Sequence, residues 1–350
     1  MSDRQLRIGI IGLGIGMRHA TSLALVPEAK IVAMADPAPN RLGVTVPEFC
    51  AHYDAKPYAD GLEMLEKEHL DAVCICTNPK LHLPFVEEAA RAGMHVLIEK
   101  PMAGTVEDCE AMIAACEKAG VHLAMEFPMR QLEPMVDLRR LLNEGTLGTP
   151  FLAGVEYVCG PRPGPPWLWT MGDGGTVINE NTCHAIDSAM FLLGPVTEVY
   201  AAGGNWIGHG APLPDTAACT LRFANGGVAT VIGGGVATNE MGIKPRISLY
   251  CTEGQAFVEG VAHTYHYLRW ARRGGEPVER DYSEGNPPTM SNTAGSYGRY
   301  PLLEPALRNF VEDIVNDRPP RATGKEGAAN VRVCLAILES IRTGQSVSIA

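Results

Sequence analysis

The chain has 350 residues, of which 46% are hydrophobic and 20% charged, and it carries a formal net charge of −11. That length can bury one or two sizeable cores, so about two domains are expected. The acidic balance argues against nucleic acid as a partner, since such binding draws on clustered Lys and Arg. No apolar stretch reaches the roughly 18 residues that span a bilayer, and no leader-like segment precedes the first strand, so the chain reads as a soluble, cytoplasmic protein without a membrane partner.

Residues 7–11 read as an apolar strand that runs into the glycine turn Gly12-Leu13-Gly14-Ile15-Gly16. A helix follows, then a second apolar strand at 31–35 that ends on Asp36. This order suits a dinucleotide. Glycines let backbone amides approach a pyrophosphate, the helix N-terminus offers N–H groups, and an acidic residue about 20 positions on accepts from the ribose hydroxyls. The third glycine comes one residue early, with Met17 in its usual place.

Further along, strands are expected at 70–77, 94–99 and 121–126, with helices at 82–92, 106–119 and 133–143. Thr105 with Asp108, and Gly120, mark the two ends of the helix at 106–119. Apolar strands alternating with helices imply a parallel sheet covered on both faces, with ligands bound outside the strand C-termini. Gly12, Gly14, Ile15, Gly16, Asp36, Thr77, Asn78, Pro79, His82, Glu99 and Lys100 are therefore the candidate cofactor-binding residues.

The texture then changes to strands at 151–158, 197–203, 217–223, 227–232, 246–251 and 264–270, two of them joined by the hairpin signal Asn225-Gly226. The expected architecture is α/β. An N-terminal doubly wound parallel sheet, 1–125, binds the dinucleotide, and a second α/β domain, 126–350, is built on a mostly antiparallel open sheet. Leu303, Leu307, Phe310, Val311 and Ile314 form one helical stripe near the C-terminus, and Val331, Leu335, Leu338 and Ile341 form another. Residues 283–300 read as a long loop that serves as a lid, a subunit-crossing arm or a plain connection. The ten cysteines are dispersed without a CxxC pair, so they read as small core residues and no metal site is expected.

Lys100 follows a parallel strand of a nucleotide fold, where an ammonium group can stabilise a developing alkoxide. Glu180, His184 and Asp187 fall at i, i+4 and i+7, one face of a helix. Two readings stand for them: a tuned acid/base site, or two carboxylates that pair with a packed histidine. Arg162, Trp167 and Trp169, in a stretch rich in Pro and Gly, are candidate substrate contacts together with Asp187. Indoles suit the apolar faces of a sugar ring and the guanidinium suits hydroxyls or a carboxylate; ordinary packing is the other reading.

The glycine turn leading to His19-Ala20, Thr77-Asn78-Pro79 with His82, Glu99-Lys100-Pro101, Gly174-Gly175 before His184-Ala185-Ile186-Asp187, and Gly324-Lys325-Glu326-Gly327 with Ser340-Ile341-Arg342-Thr343-Gly344 together resemble the Gfo/Idh/MocA oxidoreductases over nearly the whole chain. The resemblance implies NAD(P)-dependent oxidation or reduction of sugars and cyclitols, and oligomer contacts through the C-terminal sheet, as a homodimer or homotetramer. It places Lys100 on the family's Glu-Lys-Pro lysine and His184 on its catalytic histidine. Glu180 stands where the family usually has Asp. In this reading His184 is the general base, Lys100 stabilises the alkoxide, Glu180 orients the histidine and hydride leaves to NAD. Asp36 favours NAD over NADP, with Arg41 as a partial counterweight. Two other classes share the fold: redox-neutral glycosidases that use NAD transiently, and non-catalytic sensing regulators.

Overall fold

The computed structural model describes residues 5–160, 170, 175–207, 213–238, 243–261, 263–284 and 296–349. It divides into two compact units, Met1–Pro128 with Met290–Ala328, and Met129–Thr289 with Ala329–Ala350. Residues 290–328 thus belong with the N-terminal unit, whereas sequence reasoning leaves everything after 125 in the second domain.

In the first unit, β1 (Leu6–Ile11), α1 (Gly16–Leu23) and β2 (Ala29–Ala35) form the opening βαβ turn. Residues 40–67 hold a small hairpin of β3 (Asn40–Arg41) and β4 (Val44–Thr45), then α2 (Val46–His52), β5 (Lys56–Tyr58) and α3 (Gly61–Lys67). Thr45 and Glu48 close a reciprocal capping box at the start of α2. The series continues with β6 (Ala72–Ile75), α4 (His82–Arg91), β7 (His95–Ile98), α5 (Val106–Ala119) and β8 (Leu123–Met125). Thr105 caps α5 by accepting from the Asp108 N–H, and Gly120 ends it at φ +70. All six long-range strands pair in parallel in the order β5-β2-β1-β6-β7-β8. The order reverses between β1 and β6, which is where such a sheet opens a ligand crevice.

The second unit contains α6 (Glu133–Asn143), β9 (Pro150–Val158), α7 (Cys183–Leu193), β10 (Val196–Gly204), β11 (Thr216–Phe223), β12 (Val228–Gly234), β13 (Arg246–Cys251), β14 (Gly254–Val261), β15 (Thr264–Arg272) and β16 (Val278–Asp281). With a terminal strand they form a nine-stranded sheet in which only the β9–β12 pair is parallel. The Asn225-Gly226 hairpin joins β11 to β12, with Gly226 at φ +83 and the Asn225 side chain accepting from the Gly227 N–H at 2.8 Å. One sheet face packs against α6 and α7, and the opposite face presents Leu152, Tyr200, Ile232, Tyr250 and Tyr267 to solvent.

Toward the C-terminus, α8 (Glu304–Val315) packs on α1 in the first unit, and Thr323 bridges to Ala124 beside β8. The helix α9 (Gly324–Thr343) precedes β17 (Val347–Ser348), which pairs with β10. Val331, Val333, Cys334, Ile337 and Ser340 are among the deeply buried positions of α9, while Leu335, Leu338 and Ile341 are half-buried. All ten cysteines are buried and unbridged. Among the described residues no His/Cys/Asp/Glu group is arranged to hold a metal, and no helix is long and apolar enough to cross a membrane.

Candidate active site

Parallel pairing aligns the last residues of five strands: Ala35, Ile11, Ile75, Ile98 and Met125 are register partners in succession. The residues that follow them, Asp36, Gly12, Cys76, Glu99 and Glu126, therefore stand in one row along the C-terminal edge of the sheet. Lys100 comes one step beyond.

Each glycine of the turn has its own reason. Gly12 sits at φ +87 and a Cβ there would lie 2.6 Å from the Cys76 carbonyl oxygen. Gly14 faces open space, so backbone is exposed where a pyrophosphate needs it. At Gly16 a Cβ would meet Ile10 at 3.0 Å and Cys76 at 3.4 Å. The early glycine thus supplies the close helix–strand approach, and Met17 fits into the core, fully buried. Ile15 is the N-cap of α1, which has neither a side-chain cap nor an acidic first turn. These features fit a bound dinucleotide.

Asp36 is nearly fully buried and its carboxylate is saturated. One oxygen accepts from the Leu13 N–H at 2.7 Å and Arg41 Nε at 3.0 Å, the other from the Ala38 N–H at 2.8 Å and Arg41 at 2.9 Å. The acidic residue thereby ties the glycine turn to the end of β2.

Thr77 is half-buried, and Asn78 caps the short 3-10 turn Pro79–Leu81 by accepting from the Lys80 N–H at 3.1 Å. His82 is fully buried, with Nδ1 2.9 Å from the Met102 carbonyl oxygen and Nε2 3.1 Å from that of Thr77. Burial lowers its pKa despite the two carbonyls, so the neutral ring donates to one of them and pins the loop.

Glu99 is buried beneath Lys100. It bonds His19 Nε2 at 2.9 Å through one oxygen and accepts the Lys100 N–H at 3.0 Å through the other. Burial pushes its carboxyl up, but the His19 hydrogen bond and the His19 and Lys100 charges outweigh that and hold it below its ordinary value. Its neighbour Glu126 goes the other way: burial, then the Glu99 charge, hold it well above the ordinary value, and neither oxygen has a hydrogen-bond partner among the described residues. An anion and a neutral acid thus lie side by side behind Lys100.

In the second unit, the helix carrying His184 starts as a π-turn, Ile178–Thr182, before becoming α7. A π-turn takes more residues per revolution than an α-turn, so Glu180 leaves the i, i+4, i+7 line that sequence spacing draws, while His184 and Asp187 keep theirs. Side chains from elsewhere stabilise the π-turn. Asn330 donates to the Cys183 carbonyl at 3.0 Å, Cys334 to that of Ile178 at 3.8 Å, and Thr176 Oγ1 accepts from the Asn179 N–H at 2.8 Å. Thr182 lies so close to Gly233 that a Cβ there would be 2.4 Å away. π-turns concentrate at functional sites.

Glu180 is half-buried and His184 is 8% exposed. Asp187 is buried and bidentate on Arg130, at 3.1 Å from Nε and closer from the terminal nitrogen, and the guanidinium also covers the Phe191 ring. The structure therefore gives Asp187 a buried ion pair. Beside His184 lies Tyr157 of β9, whose hydroxyl bonds His263 Nδ1. Sequence reasoning missed Tyr157, His263, Arg130, Asn330 and Glu126. Alternation along β9 marks Tyr157 as inward-facing, but no local signal pairs it with a residue 106 positions away. Arg162, Trp167 and Trp169 lie outside the described residues.

Residues 6–127 match an oxidoreductase family described by its NAD-binding Rossmann fold, and residues 135–257 match the GFO/IDH/MocA C-terminal domain. The chain is 28% identical to myo-inositol 2-dehydrogenase of Thermotoga maritima, across 98% of each chain. To scyllo-inositol 2-dehydrogenase (NAD(+)) of Bacillus subtilis it is 26% identical, across 99% of this chain and 97% of that one. A solved structure, aldose-aldose oxidoreductase of Caulobacter crescentus complexed with glycerol, superposes with a TM-score of 0.79 at 25% identity, covering 99% of this chain and all of that one.

Proposed function

The chain belongs to the Gfo/Idh/MocA family of oxidoreductases, and from that membership we propose that it is an NAD-dependent dehydrogenase of sugars or cyclitols. It oxidises a ring secondary hydroxyl, or reduces the corresponding ketone. The observation that carries this reading is Lys100, placed one step past the strand-end row that also holds the glycine turn and Asp36.

In the forward direction His184 takes the hydroxyl proton as general base, a task suited to an imidazole near neutrality. Lys100 stabilises the alkoxide as it forms. Glu180, which the π-turn takes off the straight helical line, remains a proposed partner that tunes His184 electrostatically. When bound, oxidised nicotinamide accepts the hydride from the carbinol carbon. The inositol dehydrogenases among its relatives support a cyclitol or sugar as the substrate class. Arg162, Trp167 and Trp169 remain proposed substrate contacts.

The Asp36 carboxylate favours NAD over NADP, because a 2′-phosphate would meet it, with Arg41, which clasps both its oxygens, as a partial counterweight. The apolar residues on the outer face of the nine-stranded sheet support a homodimer or homotetramer formed through that face.

The test is a screen of cyclitols, aldoses and glycosides with NAD, read at the reduced-nicotinamide absorbance band. A cyclitol or sugar giving NADH in proportion to ketone is the expected result. Release of free sugar from a glycoside without net NADH would make the protein a glycosidase, and ligand binding without turnover would make it a sensor.

A further inference from the structure

Beside His184, within the same unit, stands a pair of residues that the chemistry above does not use. β9 delivers Tyr157, and the β14–β15 connection delivers His263. Both are buried, at 2% and 8% exposure. The Tyr157 hydroxyl and His263 Nδ1 share a short hydrogen bond. The Tyr157 ring is near two imidazoles, 5.3 Å from His184 at an interplanar angle of 56° and 5.8 Å from His263 at 50°. His263 holds a backbone φ of +69° in the two-residue connection between the paired Val261 and Thr264, where a tight hairpin calls for a left-handed residue.

We infer that Tyr157 and His263 form a positioning pair that holds the His184 imidazole in its reactive orientation. The phenol ring is the wall against which the His184 ring rests, and the bond to His263 keeps that wall from turning. In the tautomer that leaves Nδ1 unprotonated, His263 accepts from the Tyr157 O–H. Its left-handed backbone is what brings that nitrogen to the phenol. Precise orientation of a general base is worth much in rate, because small misplacements lower the fraction of productive encounters. The inference rests on the reading of His184 as the base, and its test separates the two.

The variants are Tyr157→Phe, His263→Ala and His263→Asn. Asparagine tolerates a left-handed backbone and keeps an acceptor near the position of Nδ1. With the substrate found in the screen above, Tyr157→Phe and His263→Ala are expected to lower kcat about tenfold while KM stays within about twofold, and His263→Asn to recover most of the loss. In parallel, the ring-nitrogen resonances of His184, assigned with a His184→Asn control in protein carrying 15N-labelled histidine, are expected to shift in Tyr157→Phe and His263→Ala and to return in His263→Asn. Unchanged His184 resonances in both loss variants would overturn the inference, as would a His263→Asn protein no better than His263→Ala. Full activity in His184→Asn would instead overturn the assignment of the base, and the resonances alone would then decide the pair.

Discussion

The two units hold their candidate residues by opposite means. In the first unit the chemistry stands on backbone: five strand ends in register, a turn that only glycine fits at position 12, and one lysine placed by the strand before it. In the second unit it stands on side chains gathered from distant parts of the chain, with Tyr157, His184, His263 and Asn330 meeting around one π-turn. Backbone placement tolerates change in neighbouring side chains. A gathered cluster fails when any member is lost.

The contrast is broken most severely at the two proposed reacting groups. His184→Asn and Lys100→Met should each lower kcat/KM by about 10²–10⁴-fold while NADH affinity, measured by fluorescence titration, changes little. Equal losses of cofactor affinity in both would contradict the division of labour. Next comes Arg130→Met, which leaves the Asp187 carboxylate buried without its cation and should cost about 3–5 kcal/mol of stability in denaturant unfolding. Arg130→Met with Asp187→Leu should recover most of that, and a double variant no more stable than the single would show that the charge pair is not the cause.

A smaller effect is expected at Asp36. Asp36→Ser removes the carboxylate that Arg41 now clasps, and should improve kcat/KM for NADP at least about tenfold. Adding Arg41→Ala should cancel that gain, and a gain that survives would place the phosphate elsewhere. The smallest shift belongs to the acid pair behind Lys100. Glu126 keeps its proton in the folded protein and loses it in the unfolded chain, so this group's contribution is present below the ordinary carboxyl value and lost as pH rises. Glu99 has the reverse sign, contributing above that value and losing it on acidification. Glu126→Gln should therefore melt above the wild type, by a margin that widens as pH rises above the ordinary carboxyl value, in calorimetry. A constant margin would mean that Glu126 is ionised in the fold.

The same contrast explains what could be read from the residues alone. Strand, glycine turn, Asp36 and Lys100 were legible because each depends on its near neighbours, and parallel pairing then aligns them. Position 16 shows the limit of spacing rules: the glycine one residue early meets Ile10 and Cys76, and Met17 fills the core. His184 was legible as a helical residue, but the π-turn was not, since its carbonyl partners come from Asn330 and Cys334 about 150 positions later. Straight α-spacing therefore misplaced Glu180 relative to Asp187. The grouping of α8 with α1 was equally hidden, because its apolar stripe says that Leu307 and Val311 are buried and not against what.

The ten enclosed cysteines have a practical consequence. Burial pushes the thiols of Cys50 and Cys116 in one unit, and of Cys251 in the other, up to about 11, and that of Cys219 to about 12, so none offers a thiolate to reagent while its surroundings stay closed. Alkylation of the native protein thus becomes a clock for breathing: mass spectrometry of timed samples would assign an opening rate to each labelled peptide, and hence to each half of the molecule, with no engineered probe.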